Sequence, residues 1–183
     1  MRVSLLAFVV SMGCSAPESA PTPVPGVCDE GGAWTRVGVS TTACLSFLDA
    51  EAKGRVVVDP YKGPVFSSPP TSASLSPSTP PTFTWSAGTL AARKSILRWF
   101  ALEGTAWAHH SASDMYVLRL SADSEVLRVM TNQSSYTPGA ADWARLARAT
   151  TLRAELVQVR LDGEEVSATV TPTSASSPSW SVH

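Results

Sequence analysis

Alternation of apolar and polar positions is clearest in Met115–Thr131. Tyr116, Leu118 and Leu120 fall on one side of the first run and Val117 and Arg119 on the other, the period of two that a half-buried strand requires. Ala122-Asp123-Ser124 gives a short polar connection and Val126–Met130 resumes the β-rich pattern, so the stretch predicts a hairpin. Its outward arginines, Arg119 and Arg128, are expected to form a solvated face. Phe83 and Trp85 share one side of a strand that opens just after Pro80 and Pro81. Leu152–Arg160 reads as another strand, and Asp162-Gly163 as the turn that leads into Glu165–Thr171. Arg55-Val56-Val57-Val58-Asp59 is a short strand closed by Pro60. The pattern leaves open whether it borders the main sheet or belongs to an N-terminal extension. The fold class expected from these periods is mainly β, a sandwich or barrel over residues 81–172.

One stretch changes period. Between Thr89 and His110, residues Ala92, Ile96, Trp99, Phe100 and Glu103 recur at helical spacing, with Arg93, Lys94 and Arg98 largely on another side. Gly104 is a natural stop. A short inserted helix over about residues 90–103 is therefore expected, capping one end or edge of the sandwich. Insertions of this kind are where binding modules carry function. A basic amphipathic helix can also lie on a membrane. The simplest use of the apolar stripe is to pack on its own domain.

The rest of the chain divides by composition. Residues 28–66 hold Gly-Gly, two cysteines and the apolar piece Cys44-Leu45-Ser46-Phe47-Leu48, too little apolar surface for a separate core. They read as a small cysteine-paired extension, a disulfide-stapled subdomain or an ordered extension of the main domain, behind an N-terminal region of low order. Residues 67–80 are rich in Ser, Thr and Pro and read as a semi-stiff spacer, with a glycosylated stalk as the other use of that composition. Residues 173–183 read as a flexible tail.

A chain of 183 residues allows one ordinary domain with tails. Its net charge of −1 offers no field to gather nucleic acid. The cysteine count is three, which is odd and calls for an explanation. The N-terminus supplies one. Met1-Arg2 is a minimal basic start, Val3–Val10 a short apolar run, and Ser11-Met12-Gly13 precedes Cys14, the layout of a secretory signal over residues 1–13. It resembles a bacterial lipoprotein signal, in which the cysteine after a small residue is lipidated and becomes the mature N-terminus. Gly13 matches that pattern; Ser11 departs from it, since an aliphatic residue usually stands there. The resemblance implies lipidation at Cys14, a polar tether over residues 14–27, a membrane partner through the lipid, and an outer-membrane location, periplasmic or surface-facing, with Ser15 after the cysteine. Ordinary secretion is the plainer alternative. Cys28 and Cys44 then remain for one disulfide in an oxidising compartment, or stand as two free thiols.

Pro81-Thr82-Phe83-Thr84-Trp85 resembles the second strand of fibronectin type III and other immunoglobulin-like modules, and the later strands follow in a compatible order up to Thr171. The departures are specific. Where those modules carry a Pro-Gly pair and then a corner tyrosine, this chain has Arg148, Ala149 and Leu152, and leucine cannot make the corner hydrogen bond. The resemblance implies a non-catalytic structural or adhesive module with an unknown protein or glycan partner, no cofactor and no nucleic acid.

Candidate chemistry is sparse. His109 and His110 with Asp114 form the one tempting acid–base or metal cluster, yet adjacent residues of an extended chain point to opposite sides, and a closed zinc site needs four ligands. No metal site is therefore expected. Asp162-Gly163-Glu164-Glu165 lacks the spacing of a calcium loop and is sufficiently explained as a turn. Asn132-Gln133-Ser134 is a formal glycosylation sequon. Trp34, Trp99, Trp107 and Trp143 could stack on sugar rings, which would make a carbohydrate-binding module, or could fill core gaps. Trp99, Trp107, His109 and His110 are thus the possible binding residues. A small envelope enzyme would have to join one of those histidines to a carboxylate and a hydroxyl in a pocket.

Overall fold

The expected hairpin lies in the middle of the fold. The computed structural model describes residues 26–29, 32–59, 61–90, 112–171 and 177–183. In chain order its elements are β1 (Thr35–Val37), α1 (Thr41–Ala52), β2 (Val57–Val58), β3 (Val65–Ser68), β4 (Ser74–Leu75), β5 (Phe83–Ser86), β6 (Ser113–Ala122), β7 (Glu125–Thr131), β8 (Ser135–Tyr136), α2 (Ala140–Leu146), β9 (Thr151–Asp162), β10 (Glu165–Thr171) and β11 (Ser179–Val182). The fold is mainly β with two sheets, as expected.

An eight-stranded sheet runs β1-β7-β6-β9-β10-β2, with β11 against the first residues of β9 and β4 beside β11. The second sheet is β3-β5-β8. The β6–β7 turn is Asp123-Ser124, flanked by the pair Ala122 and Glu125, and Asp123 takes the positive φ such a turn needs. Long β9 shares one edge between two partners: Leu152 pairs with Trp180 of β11, while Gln158–Asp162 pair with β10.

Burial along β6 and β9 shows where the large sheet is covered once and where twice. Leu152, Ala154 and Leu156 of β9 are buried and the residues between them exposed, whereas Leu156–Val159 are buried without a break. Met115–Leu118 of β6 are likewise buried on both sides. One core, under the small sheet and α2, gathers Phe83, Trp85, Tyr116, Leu118, Leu120, Trp143, Leu152 and Trp180. The other, under α1, gathers Trp34, Phe47, Met115, Val117, Met130, Val157 and Val159. Double coverage is why the alternation fades at those positions.

Helix α1 comes from a stretch that showed only a short apolar piece. Ser40 caps it, its hydroxyl accepting from the Ala43 N–H at 3.0 Å. Ala43, Cys44, Phe47 and Ala50 face the sheet. Gly54, with φ +65°, ends it as its N–H meets the Glu51 carbonyl. Cys28 and Cys44 form a disulfide that ties the chain before β1 to this helix. Residues 28–66 supply a helical layer, β1 and β2 of the large sheet, and the start of β3 in the small one.

Three further expectations change. The 67–80 stretch is not a bare spacer: it contains β4, Leu75 is buried, and the Ser76 carbonyl accepts from Trp143 Nε1 at 3.1 Å. Prolines remove donors but leave carbonyls, and buried indoles use them. The expected tail contains β11, whose Trp180 is 1% exposed. Arg119 is not on a solvated face. It pairs with Glu51 of α1 and lies 5.6 Å from the Trp34 ring, sealing the open end of the second core. The Arg55–Asp59 strand is now placed: β2 borders the large sheet, parallel to β10.

Burial raises the Tyr116 hydroxyl above its ordinary value of 10.0, the Asp114 charge adding and Arg160 opposing, and raises Tyr136 through burial and then Asp142. Both phenols hold their protons more tightly folded than unfolded, so their contribution is intact below pH about 10 and is lost as pH rises through the folded values. Thermal melts should be level up to that pH and fall above it, and a Tyr116→Phe, Tyr136→Phe variant should lose most of that fall.

Candidate functional site

Two surface regions merit a functional reading. The first is a polar anchor at the meeting of β5, β6 and β9. Gln158 is fully buried; its Nε2 donates to Asp114 Oδ2 at 3.0 Å, and its Oε1 accepts from the Gly88 N–H at 2.6 Å. Arg160 donates from Nε to Asp114 Oδ1 at 3.1 Å and from Nη1 to the Leu90 carbonyl at 2.8 Å. Gly88 suits its place because a Cβ there would lie 1.9 Å from the Lys62 carbonyl oxygen. Gln158 and Arg160 share Asp114 and each bonds one backbone group, holding the chain before residue 91 against the start of β6. Its signal in the sequence was Gln158 itself, a polar side chain inside the apolar run Leu156–Leu161. Gln158→Leu would leave the Gly88 N–H without its partner and should cost about 1–3 kcal/mol, measurable by urea unfolding with Gln158→Glu as a companion.

The second region is the outer edge of the large sheet. Strand β2 covers only the end of β10, pairing Val57 with Val170 and Val58 with Thr171. Arg55, Val57 and the β10 segment Val166–Thr169 line an open cleft of about 610 Å³. Thr169 Oγ1 donates to the Arg55 carbonyl at 2.7 Å and fixes the approach of β2. Val57 and Val58 are each 57% exposed, Tyr61 94% and Val65 60%. Asp59 closes the strand: its Oδ1 accepts from the Tyr61 N–H at 3.0 Å, and its carboxylate lies 3.3 Å from Lys62 Nζ. The Tyr61 N–H, more than any other cause, lowers the Asp59 carboxyl below its ordinary value of 3.8. Exposed apolar side chains beside a strand edge are of the kind on which another chain can pair, and the residues lining the cleft include no carboxylate or imidazole.

Cys28 and Cys44 are joined, as the disulfide reading expected. Cys14, Trp99, Trp107, His109 and His110 lie outside the described residues, as does the expected helix from residue 91 onward. Asp114, grouped with the histidines in the sequence, is engaged by Gln158 and Arg160 instead. Asp162-Gly163-Glu164-Glu165 is the β9–β10 turn region, and among the described residues no group of three His, Cys, Asp or Glu side chains could hold a metal. Trp34, Trp85, Trp143 and Trp180 are all buried, so a sugar-stacking surface has no exposed indole among the described residues. Arg55–Asp59 was readable as an edge strand of the main domain or as part of the extension; the exposure of Val57 and Val58 was not, because a run of three valines between charges reads equally as a buried strand. No helix among the described residues is long and apolar enough to cross a membrane. Comparison with protein-family models, curated proteins and solved structures finds no match to this chain.

Proposed function

We propose that this chain is a non-catalytic protein of the bacterial envelope, lipidated at Cys14, whose β-rich body is a structural or adhesive interaction module. The observation that carries the interaction reading is the exposure of Val57 and Val58 on the edge strand β2 and of Tyr61 just after it. Resemblance of Met1–Cys14 to a lipoprotein signal supports the envelope location, and the Cys28–Cys44 disulfide suits an oxidising compartment.

The finer kinship, with fibronectin type III and immunoglobulin-like sandwiches, is supported by two facing sheets and by Trp85 buried on the strand after the prolines. Against it stand the parallel pairs β1–β7, β2–β10 and β4–β11, and the helix that covers the second face of the large sheet. The interaction reading does not depend on it.

Metabolic labelling with palmitate tests the anchor. The full chain should take up label and sediment with membranes, and Cys14→Ala should lose both. An unlabelled wild-type chain, or a Cys14→Ala chain that fractionates like wild type, overturns it.

A further inference from the structure

We propose that the partner at the β2 edge is a second copy of this chain, the two β2 strands pairing antiparallel about a twofold axis at Val57 so that Arg55 of each lies opposite Asp59 of the other. The inference rests on the interaction reading above and names its partner.

Backbone direction supplies the first argument. The Asp59 N–H donates to the Thr171 carbonyl at 3.0 Å, so Asp59 directs its main-chain groups at β10. Alternation along a strand then turns Val57 toward β10 as well, in keeping with its pairing to Val170, and turns Val56 and Val58 outward. Among the described residues, no backbone bond outside the regular strands uses Val56 or Val58. Antiparallel pairing centred on Val57 matches Val56 of one copy with Val58 of the other, which are the residues whose N–H and C=O face out. Val57 faces its own equivalent as the non-hydrogen-bonded pair on the axis.

Charge supplies the second. Arg-Val-Val-Val-Asp is self-complementary when reversed, because the same register that matches Val56 with Val58 sets Arg55 across from Asp59 twice. Neighbouring twofold registers fail. Centred on Val58, Val56 would meet Pro60, which has no N–H; centred on Val56, Arg55 would meet Val57. The two exposed valines and Tyr61 supply the apolar surface such a contact covers. The product is one sheet continuous across two copies, which removes an exposed edge from each.

Sedimentation of the full chain in mild detergent, with disulfide trapping, tests it. Val57→Cys should form a disulfide-linked dimer under mild oxidation, since directly opposed Cβ atoms lie about 4.5–5.5 Å apart. Val126→Cys, an exposed valine on β7, and the parent chain with Cys14 should not. Val58→Pro removes an outward N–H and no internal bond, and should raise the dimer dissociation constant about tenfold or more. Arg55→Asp should weaken the dimer and Arg55→Asp with Asp59→Arg should restore it, a rescue that misfolding would not show. A full chain that stays monomeric while still taking up palmitate overturns the self-association and leaves the anchored module standing. Equal trapping at Val57→Cys and Val126→Cys, or a dimer that Val58→Pro leaves intact, overturns it as well.

Discussion

Trp180→Ala is expected to destabilise the chain by about 3–5 kcal/mol, the range for removing a buried aromatic ring from a packed core. Its position three residues from the end of the chain suggests no such effect. The indole nevertheless lies edge-to-face with Phe83, ring centres 5.4 Å apart, and with Phe66 at 5.9 Å. Its Nε1 donates to the Pro70 carbonyl at 3.0 Å, so one side chain joins β11, the small sheet and the proline-rich stretch. Loss of the ring opens a cavity where these meet and leaves the Pro70 carbonyl with only its bond from the Ala73 N–H. Urea unfolding gives the cost directly. Trp180→Phe should lose less, keeping ring contacts while giving up the hydrogen bond. A Trp180→Ala chain within about 1 kcal/mol of wild type would show the last strand to be dispensable.

Removal of the Cys28–Cys44 bridge is the second large expected effect. The cysteines are 16 residues apart, and a loop of that length restricts the unfolded chain by about 3 kcal/mol. The bridge also fastens a helix whose hold on the sheet comes from few large side chains, chiefly Phe47 against Trp34 at 6.3 Å between ring centres. Cys28→Ala with Cys44→Ala should therefore lower the unfolding midpoint and act unevenly. Amides of α1 should lose protection from hydrogen exchange first, while β6 and β9, buttressed on their other side by the first core, keep theirs. Uniform loss across the sheet would mean that the two cores unfold as one.

How much of this was legible depended on whether one side of an element stayed wet. The β6–β7 and β9–β10 hairpins were readable because their turns are short and polar, because Leu118 and Leu120 alternate with half-buried Arg119 and Ser121, and because Leu152 and Ala154 alternate with exposed neighbours. Helix α1 was not, since its buried set is Ala43, Cys44, Phe47 and Ala50, small residues that make a weak stripe, and its start depends on one serine cap. Proline-rich composition pointed away from structure at 67–80, yet composition does not register that a carbonyl can be needed by a buried indole. Trp180 sat in a polar tail whose alternation, Ser-Trp-Ser-Val, is too short to count against its surroundings. At the candidate surface the three valines were visible and the exposure of Val57 and Val58 was not, because the overlap of β2 with β10 is only partial.

If the outer edge of β2 is where this chain meets its partner, its outward amides must respond to protein concentration. Amide hydrogen exchange of the full chain, read residue by residue at low and high protein concentration, tests it most directly. The Val56 and Val58 amides should exchange quickly when dilute and gain protection as concentration rises, with Val57 and Asp59 protected throughout by β10. Fast, concentration-independent exchange at Val56 and Val58, or new protection arising at another edge instead, would contradict it.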